Sequence, residues 1–333
     1  MSDTKQYKSA GYVASLVVVL VSVAFTSLLL VNRQLVIDHL SVWQYKPTNE
    51  IAAFADRTTM NETGEFLFYA SRPSLEGTQA FNDKCSRHEK STAILGCYDG
   101  NRIYIYDVPN AKLDGIREVT AAHEMLHAAY LRMDDAERQA VNALVEAEYA
   151  KLRTNENFLE RMAFYARTEP GERDNELHSI IGTEVAQVSA ELESHYKKYF
   201  IDRGAVVALH TQYASVFAEL QVRSEEISNQ MTRLKASIDN NTVAYNRQVS
   251  QMNDDIARFN DRAGAGEFAS QAEFDAERSK LLARATSLEN LRSNIGRDRD
   301  AYNTLRDELM IIASESEALN QSIDSSLAPA PSL

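Results

Sequence analysis

Apolar side chains recur at three- and four-residue intervals through the last third of the chain, from Tyr213 and Val216 through Leu220, Ile227, Leu234, Ile238 and Val249 to Phe259. The stretch RAGAGEFASQ (262–271) breaks this series, and a second one runs from Leu281 through Leu288, Ile295, Leu305 and Ile312 to Ile323. Two heptad helices joined by a Gly-bearing loop predict an antiparallel coiled-coil hairpin over 203–325. Each arm of some 50–60 residues would be about 75–90 Å long. Arg223, Asn241, Asp298 and Ser316 interrupt the apolar seam, which favours one defined register over maximal stability. Such a hairpin reads as a spacer, a docking arm for a protein partner, or a surface for self-association. The Ala/Pro/Ser-rich residues 326–333 read as a disordered tail.

The opposite end carries GYVASLVVVLVSVAFTSLLLV (11–31), 21 positions without a charge. At about 1.5 Å per residue this run predicts a transmembrane helix. A signal peptide would have a shorter apolar region and a small-residue cleavage site. Lys5 and Lys8 precede the span and point to a cytoplasmic N-terminus over 1–10. Residues 32–46 then form a juxtamembrane segment, and the bulk of the chain is extracytoplasmic in a single-pass cell-membrane protein.

Residues 47–202 read as a small α+β domain, strands first and helices after. Thr48 or Asn49 is placed to cap a first helix. GEFLFYASRPSL (64–75) predicts a strand, and the run 91–108 a hairpin about Asp99-Gly100-Asn101. From Leu113 onward the pattern turns helical over 113–131, 134–153, 155–166 and 171–200, punctuated by Pro109 and Pro170.

Composition adjusts this picture in three places. Gly (12) and Pro (6) are scarce among 333 residues, which favours helix overall. A net charge of −13 repels phosphate backbones and argues against nucleic-acid binding. The two cysteines, Cys85 and Cys97, are expected to pair as a disulfide if the domain is exported.

The candidate chemistry sits in VTAAHEMLHAAY (119–130). His123 and His127 are one helical turn apart, so both imidazoles can bind one metal ion. A catalytic Zn2+ takes imidazole nitrogen and keeps a position for water. Glu124 lies beside that position, where a carboxylate can take the water's proton and pass it to a leaving amine. The flanking Val119, Thr120, Ala121, Ala122, Met125, Leu126, Ala128 and Ala129 carry no charge, so the helix is expected to be buried. Two histidines and a glutamate buried there need a partner, and a metal satisfies all three. The helix over 174–185, DNELHSIIGTEV, offers a third ligand: Glu176 and Glu184 share one face, and His178 points elsewhere.

HEMLH after a β-hairpin resembles the zincin metallopeptidases, over residues 91–200. The metzincin continuation is absent, and NELHS looks like the Asn-Glu-x-x-Ser pattern of gluzincins, which points to Glu176 as the third ligand. Where that pattern often carries an acidic residue, Ile180 stands, so Asp174 or Glu184 is left to orient a histidine. The resemblance also implies an edge strand that pairs with extended substrate, here RIYIYDV (102–108) with Ile103, Tyr104 and Ile105. Together these readings predict a membrane-anchored, extracytoplasmic zinc endopeptidase acting on a protein or peptide. The alternative is a non-catalytic coiled-coil envelope scaffold with a vestigial or structural metal site. An intramembrane protease fits poorly, since the motif lies nearly 90 residues beyond the apolar span.

Overall fold

The computed structural model describes residues 3–85, 94–153, 158–159, 162–163 and 171–326, with the backbone alone over 3–14. Helices α1 (Asp3–Val31), α2 (Arg33–Gln44), α3 (Asn49–Arg57), α4 (Glu62–Ala70) and α5 (Thr78–Lys84) come first. Strand β1 (Ser74–Glu76) precedes α5, while β2 (Gly96–Tyr98) and β3 (Ile103–Tyr106) follow it. Then come α6 (Ile116–Arg132), α7 (Asp135–Lys151), α8 (Arg173–Glu184), α9 (Ala190–Tyr196), α10 (Arg203–Ala265) and α11 (Gln271–Ile323).

The expected α+β class is therefore corrected. The chain is predominantly helical, and the sheet of the described residues is three short strands in the order β1-β3-β2. One reason lies in GEFLFYASRPSL, expected as a strand. Asn61 caps it as helix α4 by accepting from the Thr63 and Gly64 amides at 3.0 Å each. Glu62 and Glu65 add favourable charge in the first turn. Gly64, Leu67 and Phe68 are then buried at helical spacing, and the strand starts only after Pro73. The helix expected over 171–200 is two, because Val185 turns extended and Ser189 caps α9 by accepting from Leu192. The expected helix 155–166 and tail 326–333 fall mostly outside the described residues.

The transmembrane helix expected at 11–31 is also corrected. Among the described residues no single helix is long and apolar enough to cross a membrane. The apolar run with described side chains, Ser15–Val31, stops at a 74° bend before Arg33–Gln44. The bent pair passes by length and composition only when both helices are taken together.

Helix α2 is not a loose linker. Asp38 is 3% exposed. It receives Arg132 Nε at 2.8 Å and Nη2 at 2.7 Å, a bidentate bond that ties α2 to the end of α6. The core thus begins before Pro47.

The chain divides into two compact units, Met1–Val216 with Leu319–Leu333, and Phe217–Ala318. In the first, α6 is the central helix, packed by α3, α4 and α8 and by the sheet. Met125, Leu126, Ile103, Ile105, Leu177 and Tyr196 are among its fully buried side chains. Cys85 and Cys97 are joined by a disulfide, with Cα atoms 5.9 Å apart, that fastens β2 to the end of α5. The end of α11 returns to this unit, where Ser325 Oγ donates to Asn82 at 2.6 Å.

The second unit is a helical hairpin. Arg223 meets Glu308 at 2.6 Å, Ser237 Oγ donates to Asp298 at 2.8 Å, and Arg284 pairs with Asp255. Asn241 reaches Ser237 at 3.2 Å, so a polar network across the seam marks one antiparallel register. Phe259, Phe268 and Phe274 close the tip with ring centroids 5.0–5.3 Å apart.

Candidate metal centre

Helix α6 is buried along nearly its whole length, with Ala121, Ala122, Met125, Leu126 and Ala128 at zero exposure. Helix α8 packs closely against it. The crossing depends on Gly182, where a Cβ would stand 2.5 Å from Leu126 Cδ1 and 2.8 Å from Tyr196 Cε1. This contact aims the first turn of α8, and with it Glu176, at the two histidines of α6.

The three side chains converge. His123 Nε2 and His127 Nε2 are 3.0 Å apart. Glu176 Oε1 is 3.3 Å from His127 Nε2, and Oε2 is 3.6 Å from His123 Nε2. Bonds of about 2.0–2.1 Å at tetrahedral angles would set ligand atoms roughly 3.3–3.4 Å apart. The observed triangle matches one face of such a tetrahedron. His123, His127 and Glu176 are thus a group that could hold a metal ion. Two imidazole nitrogens this close repel unless a proton or cation lies between them. Burial works against a charged His123, yet the adjacent Glu176 carboxylate outweighs it and raises the ring's pKa. The pocket therefore favours positive charge.

The orienting contacts come from residues that sequence reasoning passes over. His127 Nδ1 donates to Asn175 Oδ1 at 2.9 Å, with Ser179 Oγ at 3.3 Å, leaving the Nε2 lone pair toward the cluster. Asn175 Nδ2 in turn donates to Glu172 at 3.1 Å. Both Asn175 and Ser179 stand in NELHS, but spacing alone does not tell which histidine they meet. The residues expected in this role lie elsewhere. Asp174 accepts from Asn142 at 2.9 Å, and Glu184 pairs with His210 at 3.4 Å. Glu184 thus stands apart from the cluster.

Glu124 is 5% exposed and packs against β2. A Cβ on Gly96 would stand 2.6 Å from Glu124 Oε1 and 2.8 Å from its Cγ, so only glycine admits the strand this close. Nothing local in the sequence marks Gly96 for this part.

The edge-strand assignment of Ile103, Tyr104 and Ile105 is corrected. β3 is the middle strand, parallel to β1 and antiparallel to β2, with all four residues buried. Backbone pairing uses both its edges, which leaves no side of it for a substrate. β2 is the edge beside Glu124. Leu95 O accepts from Tyr106 N at 2.8 Å, which turns the alternate residues Gly96 and Tyr98 outward.

Other rings of this unit contact one another away from the triangle. His178 Nε2 lies 3.0 Å from His195 Nε2, and Tyr196 donates to the His178 carbonyl at 2.7 Å. His39 packs on Phe66. Tyr165 and His88 lie outside the described residues.

Burial, with Lys198 nearby, lowers the His195 pKa to about 4. The unfolded ring titrates near 6.5, so the native state binds fewer protons between these values. Stability is then greatest above about pH 6.5 and falls as pH drops toward about 4. The loss is on the order of 2 kcal/mol for this ring, allowing for partial solvation. Urea midpoints of the metal-free chain at pH 7 and pH 5 should differ less in His195→Leu than in wild type.

No protein-family model, curated protein or solved structure matches this chain.

Proposed function

We propose that this chain is a zinc-dependent endopeptidase of zincin type, with a gluzincin ligand set. The observation that carries the reading is the donor triangle of His123, His127 and Glu176, with edges of 3.0, 3.3 and 3.6 Å. Two imidazoles and one carboxylate suit zinc, and three protein ligands leave a position for water. When bound, the ion would polarise that water and the substrate carbonyl. His127 is held in orientation by Asn175, and Glu176 by the buried first turn of α8. Glu124 takes the proton of the attacking water and delivers it to the departing amine. An extended peptide pairs with Gly96 and Tyr98 on the outer edge of β2, which carries it past Glu124. The Cys85–Cys97 disulfide favours an oxidising compartment as the place of action.

The full chain, purified and dialysed, should carry one equivalent of zinc by elemental analysis. Removal of a ligand should cost more than the roughly 10–100-fold typical of an orienting partner, so Glu176→Ala should bind zinc at least hundredfold more weakly. Wild-type protein that stays empty in excess zinc would refute the assignment. One equivalent of metal without cleavage of any unfolded polypeptide would favour a structural ion.

Gly96→Ala offers a second check on the geometry. The added methyl should push Glu124 out of place. Hydrolysis should fall at least tenfold with zinc affinity unchanged, at a stability cost of about 1–3 kcal/mol. Unaltered turnover in this variant would mean that β2 does not fix the base.

A further inference from the structure

At the C-terminal end of α8 a side chain from outside that helix meets several backbone carbonyls. Arg203, the first residue of α10, is 3% exposed. Its guanidinium donates to the carbonyls of Val185 at 2.7 Å, Ala186 at 3.2 Å, Gly182 at 3.4 Å and Ile181 at 3.5 Å. Glu193 Oε2 neutralises it at 2.7 and 2.9 Å. Gly182 O is one of the last carbonyls of α8, which lack partners inside a helix, while Ile181 O also accepts from Val185 N at 3.4 Å. A cation there also meets the negative end of the helix dipole. The next turns of α10 extend the grip, for Val207 is buried and His210 pairs with Glu184.

We propose that Arg203 is a positioning residue for the metal ligand Glu176, which makes the root of α10 part of the metal site. The inference rests on the zinc-site reading above. α8 is a single helix of 12 residues, with Glu176 in its first turn and the Arg203 contacts on its last. A packed helix moves as a rigid rod, so its angle across α6 is set at both ends. The close approach at Gly182, in that same last turn, acts as pivot, and the Arg203 contacts at Val185 and Ala186 lie just beyond it. Freeing the Arg203 end lets α8 tilt about this pivot and carries the Glu176 carboxylate off the triangle. The two histidines stay, since both belong to α6. Ligand placement within tenths of an ångström decides affinity, so the loss appears in metal binding before it appears in folding. Lysine offers one compact charge in place of a planar fork with five donors and replaces only part of the contact set.

The test is a zinc titration of the full chain against a competing chelator, well below the apo-protein melting temperature. Wild type, Arg203→Lys and Arg203→Met are compared, with melting temperatures of the metal-free forms recorded alongside. Arg203→Met should bind zinc tenfold or more weakly, and Arg203→Lys should fall between it and wild type. A purely structural role would lower the melting temperature of Arg203→Met and leave its zinc affinity within twofold of wild type, and that outcome overturns the proposal. Glu193→Gln keeps the arginine but removes its counter-charge. It should retain at least a third of wild-type affinity, and a loss as large as that of Arg203→Met would assign the effect to general loosening instead. Failure of wild type to bind zinc would sink the zinc-site reading itself, which separates the two.

Discussion

Glu124→Gln is expected to leave one bound zinc per chain and to lower peptide hydrolysis by about 10^2–10^4, the range that a positioned general base contributes. The substitution keeps the side chain's length and volume, so the contact with β2 at Gly96 is retained. What it removes is the basic oxygen. An amide cannot take a proton from water at neutral pH. Glu124 is not one of the three converging ligands, so the donor triangle survives intact. On the helix it lies roughly 100° from His123 and 60° from His127, beside the ligands and not beneath them. Elemental analysis and cleavage of an unfolded polypeptide, run on the same preparations, decide the matter. Wild-type turnover in the variant would remove Glu124 from the mechanism. Loss of the metal together with activity would make it a structural or coordinating group.

The second large effect concerns stability. Arg132→Met should cost about 3–5 kcal/mol, because it strands the Asp38 carboxylate in a buried position. The pair's side chains are 12% and 4% exposed. Arg132 also donates to Tyr98 Oη at 2.9 Å and to the Ala128 carbonyl at 2.8 Å, so α2, α6 and β2 share one hub. Replacing both members, Arg132→Met with Asp38→Leu, removes the stranded charge and should restore most of the loss, since a packed apolar pair is often as stable as a buried ion pair. Urea unfolding of the full chain measures both variants. A cost below about 1 kcal/mol for the single substitution would show that water reaches Asp38. The same result would detach α2 from the core.

Local features of the fold are legible in the sequence at particular residues. Thr48, a possible cap by its position, accepts from Ile51 at 3.3 Å. The turn at Asp99-Gly100-Asn101 does join two antiparallel strands, and Gly100 has φ +88°. In each case a side chain or a permissive residue acts on backbone two or three positions away. The stretch 64–75 misleads for a local reason too, since the capping side chain, Asn61, stands just upstream of it. By contrast, nothing near Asp38 announces that it meets Arg132, 94 positions on. Nor does anything near Gly96 announce Glu124.

The amino-acid order by itself determined the two imidazoles one turn apart, the carboxylate beside them and the long paired helices, because each is a repeat within a single element. Only tertiary structure brought Glu176 and not Glu184 against the two histidines, where the family resemblance had pointed, made β2 and not β3 an edge strand, and drew α2 into the core. Those choices depend on how helices cross and strands order, through contacts between residues tens of positions apart, and helical periodicity holds no record of them.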